Sequence, residues 1–78
     1  MTRNKIETII RKKGRVPITC LTAYSSSISK ILDKYCDIIL VGDSLGMTLY
    51  GMKDTKKVSL ETMMLHGKSV KNFSKKSL

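Results

Sequence analysis

Hydrophobic positions along this 78-residue chain change their period several times, and each change marks an element. Ile6, Ile9 and Ile10 recur at helical spacing over residues 4 to 13, with Asn4 placed to cap and Gly14 placed after the last turn. A short amphipathic entry helix is expected there. Arg15-Val16-Pro17 leads into Ile18-Thr19-Cys20-Leu21-Thr22-Ala23, a β-branched run whose proline sits at the start, where a missing ladder donor is tolerated. This reads as a strand. Ser25, Ser26 and Ser27 then offer oxygens to uncapped amides, and Ile28, Ile31, Leu32 and Tyr35 follow at i, i+3, i+4, i+7. That pattern predicts a second helix of about three turns.

Ile38-Ile39-Leu40-Val41 shows no polar alternation, as a strand covered on both faces of a parallel sheet would. It stops at Gly42-Asp43-Ser44. Residues 45 to 58, with Gly46, Gly51 and Lys53-Asp54-Thr55-Lys56-Lys57, read as a loop containing one short helical turn. Ser59 is placed to cap a last helix with Glu61 in its first turn, and Leu60, Met63, Met64, Gly67, Val70 and Phe73 trace its apolar face. Lys75, Lys76 and Ser77 read as a frayed end. The resulting order is an α/β series with crossover lengths suited to a parallel sheet. It divides into an entry helix over 1–15, two βα units over 16–73 and a Lys-rich tail over 74–78. Two parallel strands cannot bury both faces, and below about 80 residues a core seldom supplies more than about 3–5 kcal/mol. Exposed sheet edges and poor cooperativity follow.

Fifteen Lys plus Arg against six Asp plus Glu leave a formal charge of +9. The excess lies at the ends: residues 1–15 carry six bases and one acid (+5), 16–52 two bases and three acids (−1), and 53–78 seven bases and two acids (+5). A nucleic-acid module interleaves its bases with stacking aromatics and leans on arginine, whereas the aromatics here are Tyr24, Tyr35, Tyr50 and Phe73 and most bases are lysine. The charge therefore reads first as solvated surface, with RNA binding kept as a lesser alternative. Cys20 and Cys36 lie sixteen positions apart with no CxxC or Cys/His cluster, so both are expected to be reduced and buried. There is no signal-peptide h-region, and the longest apolar run is too short to cross a bilayer. Cytoplasmic placement, without a membrane partner, is the expectation.

In parallel α/β proteins, residues just past the carboxyl end of a strand have the first claim on chemistry. Asp43 and Ser44 stand there. An aspartate in that place can ligate Mg²⁺, and the neighbouring hydroxyl can take an oxygen of a bound acid. The competing reading is that the pair merely turns the chain, its oxygens capping local amides.

Three runs shift that balance. P-I-T-C-L-T-A-Y from Pro17, I-I-L-V-G-D-S-L-G-M from Ile38 and V-S-L-E-T-M-M-L-H-G-K-S-V from Val58 together resemble the ketopantoate hydroxymethyltransferases over Pro17 to about Val70. The resemblance implies the N-terminal portion of a (β/α)₈ TIM barrel: the entry helix and about two βα units. It further implies transfer of a hydroxymethyl group from the co-substrate 5,10-methylenetetrahydrofolate to 2-oxoisovalerate (3-methyl-2-oxobutanoate) with Mg²⁺, on the route to pantothenate, in a homo-oligomer. Asp43 matches the family's first metal-ligand aspartate, and Asp43-Ser44 its first substrate-binding segment. By the same resemblance the second metal-ligand aspartate, the metal-ligand glutamate, the substrate lysine and the general-base glutamate lie beyond the matched region. No catalytic base is therefore expected in these 78 residues, and Asp43 alone should hold Mg²⁺ weakly.

Local departures accompany the match. Ser25 stands where the family usually has Asp, Lys34-Tyr35-Cys36-Asp37 replaces a small Gly-containing link, and Asn72 to Leu78 lacks the β-branched run expected before a third strand. A truncated, inactive piece of the enzyme is the first expectation, and one part of a split enzyme completed by another chain is the second. His66 matches a family histidine, yet a helix histidine more often contributes packing or a hydrogen bond. Met63 and Met64 read as core, and Gly42, Gly46 and Gly51 form no nucleotide-binding pattern.

Overall fold

The computed structural model describes residues 2–78. Its elements are α1 (Ile6–Ile10), β1 (Cys20–Thr22), α2 (Ser26–Leu32), β2 (Ile38–Leu40), α3 (Leu45–Thr48) and α4 (Leu60–Phe73), a mixed α/β chain in the expected order. β1 and β2 run parallel with Cys20 opposite Ile38, Leu21 opposite Ile39 and Thr22 opposite Leu40. One further bond, from Ala23 N–H to Leu40 O at 3.1 Å, carries the ladder to the strand ends. The described residues form a two-stranded sheet and no closed barrel.

Local rules account for the helix ends unevenly. Ser59 Oγ accepts from Thr62 N–H at 3.1 Å, and Glu61 sits in the first turn of α4, where its negative charge meets the positive end of the dipole. Gly14, at φ +74°, takes the left-handed conformation that ends the turn after α1. Asn4 is no cap, however: Lys5 occupies that position without a side-chain bond, and Asn4 Nδ2 instead donates to Asp37 O at 3.2 Å. α2 is seven residues long and also lacks a side-chain cap, since Ser25 Oγ faces Ser27 Oγ at 3.2 Å.

The apolar face expected of α2 is largely open, and that of α4 is covered along one side, where Met63 and Gly67 are half-buried and Val70 is buried. Ile31, Tyr35, Leu60 and Met64 are all more than half exposed, and of the α4 stripe only Val70 is buried. The two helices meet instead along a seam of small and polar groups. Ser26 N–H donates to Ser69 Oγ at 2.9 Å, and the buried Ser29 hydroxyl donates to Val70 O at 2.7 Å. These bonds fix which sides of the helices face each other, and they leave Ile31, Leu60 and Met64 more than half exposed. β1 is likewise exposed throughout and β2 only part-covered, so the expectation of a strand buried on both faces is not met here. Cys20, on β1, is exposed while Cys36 is buried, and both are free thiols. The small core comprises Ala23, Cys36, Leu45 and Val70.

Residues 74–78 are anchored rather than frayed. Ser74 and Ser77 are buried, and the Asp33 carboxylate accepts from the backbone N–H groups of Lys75 (2.9 Å), Lys76 (3.1 Å) and Ser77 (2.8 Å). Burial opposes ionisation of Asp33, but these donors, with Ser77 foremost, outweigh it and bring its pKa from 3.8 to about 2. Arg3 adds bonds to Ser77 O (2.6 Å) and Ser74 O (2.5 Å), and Ser77 Oγ donates to Cys36 O at 2.8 Å. Polar bonds to Arg3, Asp33 and Cys36 place this segment, which has no β-branched residue.

Candidate strand-end site

The clamp that Asp33 forms on the amides of residues 75–77 and the candidate site occupy opposite ends of the two strands. Thr19 and Asp37 immediately precede the strands; Asp37 Oδ2 accepts from Thr19 N–H at 3.0 Å, and its Oδ1 accepts from Lys12 Nζ at 2.5 Å. Asp37 is held below the usual carboxylate range first by the Lys12 hydrogen bond and then by the Thr19 amide, with burial opposing. At the other end β1 runs through the buried Ala23 into Tyr24, and β2 runs through Val41-Gly42 into Asp43 and Ser44. In parallel α/β proteins conservation of function belongs to that carboxyl end, and stability to the amino end.

Ser44 starts α3 but makes no side-chain cap bond. Its hydroxyl pairs instead with the Tyr24 hydroxyl, across from the end of β1. Ser44 Oγ therefore does not cap the turn it starts. Asp43 is exposed beside it. α3 stays close because Gly46 has no side chain: a Cβ there would drive into Val58 Cγ2 and lie 3.2 Å from Met52 Sδ.

Behind Tyr24 stands α4. His66 Nδ1 lies 2.6 Å from Tyr24 O, and His66 Nε2 lies 2.7 Å from the Tyr50 hydroxyl. The Tyr50 and His66 rings meet edge to face at 86° with centroids 5.8 Å apart. A line of contacts thus runs from Tyr50 through His66 and Tyr24 to Ser44. The sequence singled out Asp43, Ser44 and His66 but gave no role to Tyr24 or Tyr50. Tyr24 could have been flagged by its place just past a strand, inside the L-T-A-Y run; Tyr50, in an irregular loop, carries no such signal.

The donor set at the site is one exposed carboxylate and a hydroxyl. Both are hard oxygen groups of the kind Mg²⁺ prefers, and Asp43 fits as one ligand of such an ion. Among the described residues no three His, Cys, Asp or Glu side chains gather into a metal-holding group, so the shell is not completed here. No helix among them is long and apolar enough to cross a membrane.

Comparison with known proteins adds the family. The model described as "Ketopantoate hydroxymethyltransferase" matches residues 3–78. The match runs through Asn72 to Leu78. A 3-methyl-2-oxobutanoate hydroxymethyltransferase of Pelagibacter ubique (strain HTCC1062) is 53% identical over 74 residues, which is 95% of this chain and 29% of the relative. The enzyme of the same name from Chelativorans sp. (strain BNC1) is 46% identical over 70 residues, 90% of this chain and 25% of the relative. That of Anaplasma marginale (strain Florida) is 52% identical over 67 residues, 86% and 24%. The chain therefore spans 24–29% of the length of these curated relatives.

Proposed function

The chain belongs to the ketopantoate hydroxymethyltransferase family, and from that premise we propose that its residues form the first portion of a site adding a hydroxymethyl group to 3-methyl-2-oxobutanoate. The one-carbon donor is 5,10-methylenetetrahydrofolate and the product feeds pantothenate formation. The surrounding architecture is a (β/α)₈ barrel in which β1 and β2 are the first two strands and α2 and α4 lie outside. Two observations on exposure support that placement: β1 is open and so is much of the apolar sides of α2 and α4, as pieces awaiting covering layers would be.

The observation that carries the assignment is the convergence of Asp43 and Ser44, past β2, with Tyr24, past β1, at the strand end away from the clamp. There Ser44 donates its hydroxyl proton to the carboxylate of the 2-oxo acid, and Asp43 is the side chain that would hold Mg²⁺. The chemistry such an ion supplies when bound is polarisation of the 2-oxo carbonyl, which acidifies the neighbouring C–H. A base takes that proton, and on the donor's methylene carbon the carbanion replaces one folate nitrogen and water the other, so that both C–N bonds break and tetrahydrofolate leaves with the substrate's C–H proton and one proton of the water on its two nitrogens. Asp43, as a metal ligand, is not that base. Proton removal is assigned to residues outside these 78, which on their own bind the acid weakly and do not turn it over.

The test joins residues 1–78 of this chain to the remaining length of the Pelagibacter ubique relative and measures transfer to 3-methyl-2-oxobutanoate. The joined protein is expected to be active, and Asp43→Asn in it to lose activity at least about 100-fold, as removal of a metal ligand does. Full activity of the Asp43→Asn protein would remove the proposal.

A further inference from the structure

Resting on the reading of Asp43-Ser44 as an acid-binding segment, we infer that Tyr24 is a positioning residue that aims the Ser44 hydroxyl proton, and that His66, braced by Tyr50, holds Tyr24 in place. A carbonyl oxygen only accepts, so the His66 nitrogen 2.6 Å from Tyr24 O carries the proton: Nδ1 donates. In the neutral ring Nε2 then has a lone pair, and it accepts the Tyr50 O–H at 2.7 Å. Both ring nitrogens are thus spent on the protein, and His66 has none left for a ligand or a substrate proton.

The same accounting fixes the direction of the Tyr24–Ser44 contact. A carboxylate offers acceptors alone, so Ser44 must give its single proton outward to bind one. The bond between the two hydroxyls then runs from the Tyr24 phenol to Ser44 Oγ. A phenol is the more acidic of the two hydroxyls, and a hydroxyl that accepts one hydrogen bond becomes a better donor of the next. Ser44 is free for this arrangement because its oxygen is not used to cap α3.

Tyr24 cannot drift, because the segment after it is tied to the same side of α4. Ser26 N–H meets Ser69 Oγ at 2.9 Å and Ser29 Oγ meets Val70 O at 2.7 Å, so His66, Ser69 and Val70 form one row of bonds along the helix. Without the Tyr24 hydroxyl, Ser44 Oγ would turn back to a local amide, the usual partner of a serine at a helix start.

Nuclear magnetic resonance on the 78-residue chain tests this without needing turnover. Ring ¹⁵N shifts of His66 should show the Nδ1–H tautomer, and Ser44 Hα–Hβ couplings should show one rotamer. In Tyr24→Phe the Ser44 couplings should average, while the Lys76 and Ser77 amide shifts at the distant clamp stay put and exclude unfolding. Titration with 3-methyl-2-oxobutanoate and Mg²⁺, read at the Asp43 and Ser44 amides, should then weaken roughly 5- to 20-fold, part of what a hydrogen bond to a charge contributes, because the Ser44 hydroxyl remains but is no longer oriented. His66→Asn, whose amide can still donate to Tyr24 O, should keep the Ser44 rotamer, and His66→Ala should not. An Nε2–H tautomer, or a Ser44 rotamer unchanged in Tyr24→Phe, overturns the inference whatever the acid does. Should Ser44 loosen as expected while the acid moves neither amide in the unaltered chain, the reading of the site as an acid site fails and the inference with it.

Discussion

Leu78 lies beside Ile38 in the geometry of a parallel strand: its N–H donates to Asp37 O and its carbonyl accepts from Ile39 N–H, both at 2.9 Å. β1 pairs with one edge of β2, and Leu78 takes the first bonds of the other. A lone residue on a sheet edge gains little from two hydrogen bonds and loses backbone freedom of similar worth, so something else must hold it there. That role falls to the Asp33 carboxylate, which gathers the three preceding amides.

Replacing Asp33 with Ala leaves the amides of Lys75, Lys76 and Ser77 without their acceptor. A cost of about 2–3 kcal/mol is expected, seen as a lower urea midpoint, together with faster hydrogen exchange at Ile39 and Leu78. Unchanged exchange at Ile39 would show that the clamp does not seat Leu78.

Acid should weaken the fold through the same group. The folded-state pKa of Asp33, about 2, lies below its ordinary 3.8, so its contribution is complete above the ordinary value and is lost as pH falls toward about 2. Asp37, lowered by Lys12 and the Thr19 amide, adds in the same direction. Urea midpoints should therefore be level from about pH 7 to 5 and fall between about pH 4 and 2, and Asp33→Ala should flatten much of that fall. A midpoint that rises on acidification would contradict both assignments.

Two glycines in helices should respond oppositely to alanine. Gly46→Ala meets Val58 and Met52, and overpacking of that kind costs about 1–3 kcal/mol. Gly67, within α4, has open space around the position of a Cβ, and alanine there should stabilise by about 0.5–1 kcal/mol through helix propensity alone. Thermal midpoints of the two variants decide it; a fall in both would mean that α4 is more closely packed at Gly67 than the structure shows.

Loss of the Ser59 hydroxyl in Ser59→Ala should cost about 1 kcal/mol and fray the first turn of α4, visible in the amide exchange of Thr62. No change at Thr62 would mean that the cap contributes nothing to the helix start.

What could be read from the sequence was what depends on near neighbours. Ser59 and Glu61 announce a helix start because their partners are three residues away or less, and Ile38 to Leu40 announces a strand by composition. Asp33 announces nothing, since its partners are main-chain amides 42 to 44 positions further on. The lysines at 75 and 76 suggested a solvated tail although the groups that matter there are their amides. The apolar rows of Ile28, Ile31 and Tyr35 and of Leu60 and Met64 were legible as rows, but not the direction they face, which the Ser26–Ser69 and Ser29–Val70 bonds set. At the site, Asp43 and Ser44 were legible from their place after a strand and from the resemblance, whereas the Tyr24 contact depends on how the two strand ends meet.

The central claim is that the strand end bearing Asp43 is where a divalent ion and a 2-oxo acid come together. Mn²⁺, an oxygen-seeking ion like Mg²⁺ that broadens nearby resonances, can be added to the chain with 3-methyl-2-oxobutanoate present. Broadening that begins at the Asp43, Ser44 and Tyr24 amides, needs the acid to be strong and disappears in Asp43→Asn is the expected result. Broadening centred on Asp33 or Asp37, or spread evenly over the acidic residues and indifferent to Asp43→Asn, would contradict the account.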